Sequence, residues 1–332
     1  MQIMQIMINT IALSRLASLA AGVLLLTGAA ARAQDYPDRP IRVIVPFTAA
    51  TPLDVIARAV APKVGEVLKQ SLVIENIPGA GNVIGIQTAA RARPDGYTML
   101  MVGQSASAIT PFVFTNPPYS LEKQFTPVHF TASFVFVLTV NAQLPANNLQ
   151  ELIALAKQKP DGLFYGTTGP GAGSNIVTLQ FLKKAGIKIT AVNYKGGGDI
   201  LTALQRNDVQ LYMSVPQSAI LGVQSGRVRA IGTTANARHR DFPNVPTFIE
   251  QGVNMIAKSW YGMVAPAGTP EVAVNRMNAA MNTAIKSPEV IKSLLNLGFE
   301  VEGGSAAEFA RFMREEQAEL KPVIVEAGIK GD

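Results

Sequence analysis

Apolar residues after position 40 follow two alternating patterns. Three apolar runs are typical of buried strands: 41–45, which only Arg42 interrupts, 72–74 and 99–102. Between the first two runs, apolar residues recur at spacings of three and four, which predicts a helix with one buried face: Leu53, Ile56, Val60, Val64 and Val67. Residues 85–93 are predicted to form a second helix. The order β-α-β-α-β predicts a parallel sheet covered by helices.

The alternation restarts after a loop rich in Pro, Thr and Asn at 110–119. The pattern predicts strands at 135–140, 163–165, 189–192, 211–213 and 228–231. A helix is predicted at 149–157, with Asn147 or Asn148 as its N-cap. Three further helices are predicted at the end of the chain, at 271–285, 288–297 and 306–327.

Two apolar segments with few turn signals, 125–140 and 257–266, are long enough to run between lobes as hinge strands. We therefore expect two α/β lobes joined by two crossing strands, with the C-terminal helices returning to the first lobe. Lobe 1 is predicted to comprise residues 34–131 and 258–332, and lobe 2 residues 132–257.

The first 33 residues resemble a secretory signal. Arg15 precedes an apolar run at 16–26, and Ala31-Arg32-Ala33 is a small-x-small cleavage pattern. The apolar run is short for a membrane anchor, which needs about 20 residues. Met7 is an alternative start. We expect a protein that is exported and cleaved after Ala33, and that is soluble because it has no cysteine for lipid attachment.

The composition of the 332-residue chain, 48% hydrophobic and 16% charged, is typical of a compact globular protein. The formal net charge is +6, of which the leader supplies two charges. No block of Lys and Arg forms the basic stripe that nucleic-acid binding needs. The absence of cysteine excludes disulfides, thiolate metal sites and a cysteine nucleophile.

Candidate catalytic chemistry is sparse. The two histidines, His129 and His239, have no metal-ligand spacing, and no G-x-S-x-G motif occurs. The G-x-G-x-x-x-G pattern at 79–85 is one residue too long for a dinucleotide fingerprint, so a tight turn is the better interpretation. We therefore expect no enzyme activity, no cofactor and no metal.

Three loops rich in small residues follow predicted strands and open helices, at 46–54, 166–175 and 194–199. The first turn of a helix leaves amide groups without partners, and small residues let an anionic oxygen approach them. Ligands of α/β sheets bind at the carboxyl ends of strands, where these loops lie. Ordinary turn and cap chemistry is the alternative for each loop. Loops at 103–107 and 214–218 follow strands too.

The candidate ligand-binding residues lie in these five loops. They are Phe47, Thr48, Ala49, Ala50, Thr51, Asp54, Ser105, Ser107, Thr168, Gly171, Ala172, Gly173, Ser174, Asn175, Tyr194, Lys195, Gly196, Ser214 and Pro216. For Asp54, compensation of the helix dipole is the alternative role. For Lys195, the alternative is a solvated side chain.

From about Tyr36 to Ala327, the chain resembles the Bug-type solute receptors of tripartite tricarboxylate transporters. The motifs that carry the resemblance are Tyr36-Pro37-x-x-Pro40-Ile41-Arg42, Val45-Pro46-Phe47, Asp54-Val55-Ile56-Ala57-Arg58, Glu75-Asn76-x-Pro78-Gly79-Ala80-Gly81, Pro94-Asp95-Gly96-Tyr97-Thr98, Tyr194-Lys195-Gly196, Val245-Pro246-Thr247, Trp260-Tyr261-Gly262 and Ala265-Pro266-x-Gly268-Thr269-Pro270.

The resemblance implies a monomeric periplasmic receptor with the type II binding-protein fold, in which each lobe is a mainly parallel sheet flanked by helices. It implies a small carboxylate ligand, such as a dicarboxylate or an aromatic acid, held by residues 47–51, 168–175 and 194–196. It also implies a partner, a membrane permease of two unlike subunits. Ala49-Ala50-Thr51 stands where family members commonly have Pro-Gly-Gly, so the first loop could bind with a different geometry.

Two alternatives remain open from the sequence. One is a periplasmic hydrolase on the same scaffold, since a fold does not fix a function. The other is a sensor component that presents its closed form to a signalling partner. The identity of the carboxylate is not determined by these patterns.

Overall fold

Strands and helices alternate along the chain in the order that the apolar pattern predicts. The structure is a computed structural model that describes residues 36–49, 51–160, 162–328 and 330. Arg39–Asp332 form one unit, and Met1–Asp38 form another, of which only the last three residues are described. The predicted signal at 1–33 therefore lies outside the described residues.

The first sheet contains six of the described strands: β1 (Ile41–Val45), β2 (Leu72–Asn76), β3 (Thr98–Gly103), β4 (Phe125–Val135), β10 (Lys258–Pro266) and β11 (Glu300–Val301). Their order is β11-β4-β10-β3-β1-β2. The strand β1 is parallel to β2 and β3, with Ile41 opposite Leu72. The long strand β10 is antiparallel to both β3 and β4.

Helices from both ends of the described chain cover this sheet. They are α1 (Pro52–Leu68), α2 (Val83–Ala90), α3 (Thr110–Val113), α4 (Leu121–Gln124), α9 (Glu271–Ala284), α10 (Pro288–Asn296) and α11 (Ala306–Glu326). Of the apolar face predicted for α1, Leu53, Ile56, Val60 and Val64 are buried. Val67 is 41% exposed, because the neighbouring Leu68 is the residue that turns inward at the end of the helix. Helix α9 packs on α1, and α11 packs on β4, so the C-terminal helices return to the first sheet as expected.

The second sheet contains five of the described strands: β5 (Val137–Asn141), β6 (Phe164–Thr167), β7 (Thr190–Asn193), β8 (Leu211–Ser214) and β9 (Val228–Thr233). Their order is β7-β6-β8-β5-β9. The strand β6 is parallel to β7 and β8, whereas β5 is antiparallel to β8 and β9. The helices of this half are α5 (Leu149–Gln158), α6 (Gly173–Ala185), α7 (Gly197–Arg206) and α8 (Pro216–Gln224).

The two-lobed α/β fold is confirmed, but both sheets are mixed rather than mainly parallel. Among the named strands, parallel pairing is confined to β1 with β2 and β3, and to β6 with β7 and β8. The antiparallel pairs involve β10, β4 and β5, which come from the two long apolar segments. The apolar pattern identified those segments as strands, but it does not encode their direction in the sheet.

Two extended segments cross from one sheet to the other. The first leaves β4 through Phe136 and enters β5, and the second enters β10 after Ala257. Thr234 joins the two crossings, because its hydroxyl donates to Ala257 O at 2.6 Å and accepts from Phe136 N at 2.9 Å. The change of sheet at Phe136 lies a few residues after the predicted limit at 131, and the lobe limits stay a prediction.

Helix α6 of the second half also packs against the first half. Its Ile176 shares an apolar cluster with Ile109, Leu320 and Ile324. Lys183 of α6 forms an ion pair with Glu326 of α11. The beginning of α6 is thereby held close to the first sheet.

Local structure differs from the predictions in two places. The turn expected at 103–107 is a π-helical turn at Ser105–Ile109, and α3 continues it into the loop predicted at 110–119. The short strand β11 was not predicted, because two residues carry no periodicity. None of the helices in the described part of the chain is both long and apolar enough to span a membrane.

Candidate ligand-binding site

The first loop joins β1 to α1 and ends in an open helix N-terminus. Thr51 is the N-cap and Pro52 follows it, but no side chain caps the helix. The Thr51 hydroxyl donates instead to Thr48 O at 2.9 Å, which closes the loop on itself. Thr48 and Ala49 are exposed, and Ala50 lies outside the described residues.

Asp54 supports this loop from within the protein. Its carboxylate is buried and accepts from Arg58 Nε at 3.0 Å and from Asn76 Nδ2 at 2.9 Å. The same Asn76 amide donates to Phe47 O at 3.1 Å. Asp54 therefore acts through Asn76 and Arg58 to fix the loop backbone.

A cavity of about 210 Å³ lies where the first loop meets the carboxyl end of β3. Its lining residues are Pro46, Phe47, Thr51, Pro52, Leu53, Asn82, Val102, Gly103, Gln104, Ser105, Ala106, Ser259 and Tyr261. None of these lining side chains is a charged one. An anion in this cavity would therefore be bound by neutral donors, namely amide, hydroxyl and backbone N–H groups.

The fourth loop contributes Gln104 and Ser105 to the cavity wall. Gln104 is only 5% exposed, and its Nε2 donates to Lys258 O at 2.9 Å and to Glu316 Oε1 at 2.8 Å. Ser107 is turned into the protein, where it is fully buried and its carbonyl accepts from Gln317. Of the two serines predicted here, the structure brings only Ser105 to the cavity.

The second loop approaches the cavity from the other half of the molecule. A Cβ atom added at Gly173 would lie 3.2 Å from Gln104 Oε1 and 3.7 Å from Ser259 Oγ. Ala172 is the N-cap of α6 and supplies no side-chain cap. The α6 amides at Gly173, Ser174 and Asn175 therefore have no intrahelical acceptor.

Asn175 holds the shape of the second loop. Its Oδ1 accepts from the Tyr165 hydroxyl at 2.7 Å, and its Nδ2 donates to Pro170 O at 2.9 Å. Because both ends of the amide are engaged, Asn175 positions the loop. Thr168 is exposed and Gly171 is half-buried, with Ile109 Cγ2 3.9 Å from an added Cβ.

The third loop lies beside the second loop, to which a backbone hydrogen bond joins it. Tyr194 N donates to Thr167 O at 2.8 Å, and the Lys195 side chain is exposed. A Cβ added at Gly196 would meet no described atom within 4 Å. The first and fourth loops line the cavity and the second lies against it, whereas a role of the third loop in ligand binding stays a prediction.

Neither predicted residue of the fifth loop is among the cavity-lining residues. Ser214 is fully buried, and its Oγ lies 2.7 Å from Thr139 Oγ1 within the second sheet. Pro216 is buried beside Gly298, where an added Cβ would lie 3.3 Å from Pro216 Cβ.

Four polar residues of the cavity were not among the candidates: Asn82, Gln104, Ser259 and Tyr261. Asn82, in the turn rejected as a dinucleotide site, accepts from the Tyr119 hydroxyl at 3.2 Å. Ser259 and Tyr261 lie on β10, and burial raises the pKa of Tyr261 to about 12, so its phenol stays protonated. The sequence pattern could have identified Ser259 and Tyr261, because residues two apart in a strand such as β10 lie on the same face.

A larger groove of about 610 Å³ lies between α1 and β2, beside Lys69 and Leu72. It is at the amino end of β2, opposite the edge at which α/β sheets bind ligands. No group of three or more acidic or histidine side chains in the described ranges is placed to hold a metal ion.

Comparison with known proteins gives consistent matches over nearly the full length. A family model described as the tripartite tricarboxylate transporter family receptor matches residues 56–329. Protein BugT of Bordetella pertussis is 30% identical over 300 residues, which cover 90% of this chain and 92% of BugT.

Two solved structures are similar in fold and sequence. Rpa4515 of R. palustris with adipate is 31% identical, with a TM-score of 0.77, and the match covers 89% of this chain and 99% of that one. MatC from Rhodopseudomonas palustris with bound malate is 29% identical, with a TM-score of 0.73, covering 87% and 100%.

Proposed function

Because the chain belongs to the tripartite tricarboxylate transporter receptor family, we propose that it captures a small carboxylate between its lobes and delivers it to a two-subunit membrane permease. The proposal includes a periplasmic location after removal of residues 1–33, and a monomeric receptor without catalytic activity. The lobes are residues 34–131 with 258–332, and residues 132–257.

One observation carries the proposal: Gly173 of the second loop lies against Gln104 and Ser259 at a cavity formed by the other half. The beginning of α6 thus lies beside the wall that contains Gln104. A carboxylate placed there would be bound from both halves, and would stabilise the closed arrangement by contacts absent in an open one.

The uncharged lining of the cavity supports a carboxylate that is bound without a positively charged side chain. The first turn of α6, which no side chain caps, offers backbone amides and the positive end of a helix dipole. Phe47 and Leu53 add apolar surface for the carbon skeleton. Two similar proteins have been solved with adipate and with malate, which are both small dicarboxylates.

A thermal-shift and calorimetry screen tests the proposal with succinate, malate, aspartate, adipate, citrate and benzoate. A ligand at 100 times its Kd stabilises the native state by about 2.7 kcal/mol, which raises the Tm of a protein of this size by roughly 5 °C. Methyl esters of the same acids are the matched controls, because they lack the charge and are expected to give no shift.

Absence of any shift, together with turnover of an ester, would favour the hydrolase alternative. Delivery is tested separately, by uptake of the identified ligand in cells with and without this receptor. Since a sensor would close in the same way, unchanged uptake would argue for a signalling role.

A further inference from the structure

The side-chain amide of Gln104 is held in one orientation. Its Nε2 donates to two acceptors, Lys258 O at 2.9 Å and Glu316 Oε1 at 2.8 Å. The reversed amide would place a carbonyl oxygen against both of these acceptors. The two contacts therefore direct Oε1 of Gln104 to the opposite side.

Glu316 is half-buried, and its second carboxylate oxygen is engaged as well. Trp260 Nε1 donates to Glu316 Oε2 at 2.6 Å, and Trp260 is fully buried. Trp260 packs edge-on against Phe309, with ring centroids 5.3 Å apart. Each Glu316 oxygen thus accepts one hydrogen bond, Oε1 from Gln104 and Oε2 from Trp260. A rotation of Glu316 away from Gln104 would break one of these two bonds.

The free Oε1 of Gln104 points toward the beginning of α6. Among the described residues, no donor reaches this buried atom. It would lie 3.2 Å from a Cβ added at Gly173, where the α6 amides also lack intrahelical acceptors. A free acceptor and free donors therefore stand side by side at the junction of the two halves.

We propose that Gln104 selects, among small carboxylates, those that carry a hydroxyl or ammonium group beside the carboxylate. The carboxylate accepts from the α6 amides, and the neighbouring hydroxyl or ammonium donates to Gln104 Oε1. When an unsubstituted dicarboxylate is bound, Gln104 Oε1 is shielded from water and receives no hydrogen bond. Leaving a buried acceptor without a donor costs free energy. This selection rests on the proposed function, because it assumes that the site binds a carboxylate.

Calorimetry with two matched series tests the selection. Succinate, L-malate and L-aspartate share a four-carbon skeleton and differ only at C2, and adipate, 2-hydroxyadipate and 2-aminoadipate repeat the comparison in a longer skeleton. In the series whose chain length the site accommodates, we expect the 2-hydroxy or 2-amino acid to bind at least tenfold more tightly than the unsubstituted dicarboxylate.

The variant Gln104→Met keeps the length of the side chain and removes the acceptor. It also removes the Nε2 donor to Lys258 O and Glu316 Oε1, so the readout is the ratio of affinities within a series and not the affinity for the parent acid. The tenfold ratio is expected to disappear. Gln317→Met is the matched control, since Gln317 is the neighbour of Glu316 on α11 and its amide donates to Ser107 O instead. This control is expected to keep the preference.

The outcomes separate the two proposals. Equal affinity for all members of a series that binds overturns the selection but leaves carboxylate binding intact. A preference that survives in Gln104→Met also overturns it, because the acceptor would then be another group. If no carboxylate of either series or of the wider screen binds, both proposals fail.

Discussion

Gly173 shows how a single missing side chain shapes the site. It is the first residue of α6, and it faces Gln104 Oε1, Ser259 Oγ and the Phe136 ring across the junction. A Cβ atom at 3.2 Å from Gln104 Oε1 is closer than ordinary van der Waals contact. The glycine therefore leaves the space in which Gln104 and Ser259 approach the beginning of α6 closely.

We predict that Gly173→Ala lowers the affinity for the identified ligand at least tenfold, because the added methyl group occupies that space. The free energy of unfolding is expected to change by less than about 1 kcal/mol, since alanine favours the helix. Calorimetry and urea denaturation measure the two quantities.

Gly198→Ala is the matched control, because Gly198 also lies in the first turn of a helix and an added Cβ meets no described atom within 4 Å. It should bind as the unaltered protein does. Unchanged affinity in Gly173→Ala would contradict the placement of the site.

The two crossing segments act as one element through Thr234. Its backbone carbonyl accepts from Ala257 N at 3.0 Å and its N–H donates to Phe136 O at 2.9 Å, in addition to the two bonds of its hydroxyl. Thr234 is fully buried. The place where the lobes are joined is thus fixed by a residue whose polar atoms are all used internally.

We predict that Thr234→Val destabilises the protein by about 2 kcal/mol. Valine has the same shape but leaves Phe136 N and Ala257 O without their hydroxyl partner in the interior. The unfolding free energy from urea denaturation is the measurement.

Thr202→Val serves as the control, because the Thr202 hydroxyl bonds to Gly198 O on an exposed helix surface. A change within about 0.5 kcal/mol is expected there. Equal effects of the two substitutions would argue against a special role for Thr234.

At the scale of the whole molecule, two buried groups make stability depend on pH in opposite directions. Burial raises the pKa of Glu316 to about 7, against the lowering effect of hydrogen bonds from Trp260 and Gln104. Burial lowers the pKa of His129 to about 4. The native state therefore retains a proton on Glu316 and excludes one from His129 over much of the range between pH 4.5 and 6.5.

The sign of each contribution follows from these shifts. The Glu316 contribution is fully present below pH 4.5 and is lost as the pH rises through 7, because only the folded state holds that proton. The His129 contribution is present above pH 6.5 and is lost as the pH falls through 4. The two slopes partly cancel in the intact protein.

We predict that Glu316→Gln removes the Glu316 slope. Relative to this variant, the unaltered protein should lose about 3 kcal/mol of unfolding free energy between pH 4.5 and 8, because each unit of pKa shift corresponds to about 1.4 kcal/mol. Urea denaturation at pH 5, 6, 7 and 8, followed by far-UV circular dichroism, measures the difference.

Because both proteins retain His129, its contribution cancels in this comparison. A difference that does not vary with pH would mean that Glu316 keeps an ordinary pKa in the folded state.

The sequence determined the family and the order of elements. Apolar spacing placed β1 and α1 correctly, and Asn148, one of two predicted caps, accepts from Glu151 N at 2.9 Å. These features depend on neighbours within a few residues, so they are present in the local pattern. The motifs that indicated a Bug-type receptor are confirmed by the family match.

Tertiary structure alone decided which loops face one another. Gln104 meets Gly173, Lys258 and Glu316, residues far apart along the chain, and Ser107, three positions after Gln104, turns into the interior. The π-helical turn at Ser105–Ile109 determines which of these side chains faces the cavity. The spacing of apolar residues in the sequence does not predict such a turn. The site depends on long-range packing of α6 and α11, whereas the sequence pattern records only local preferences.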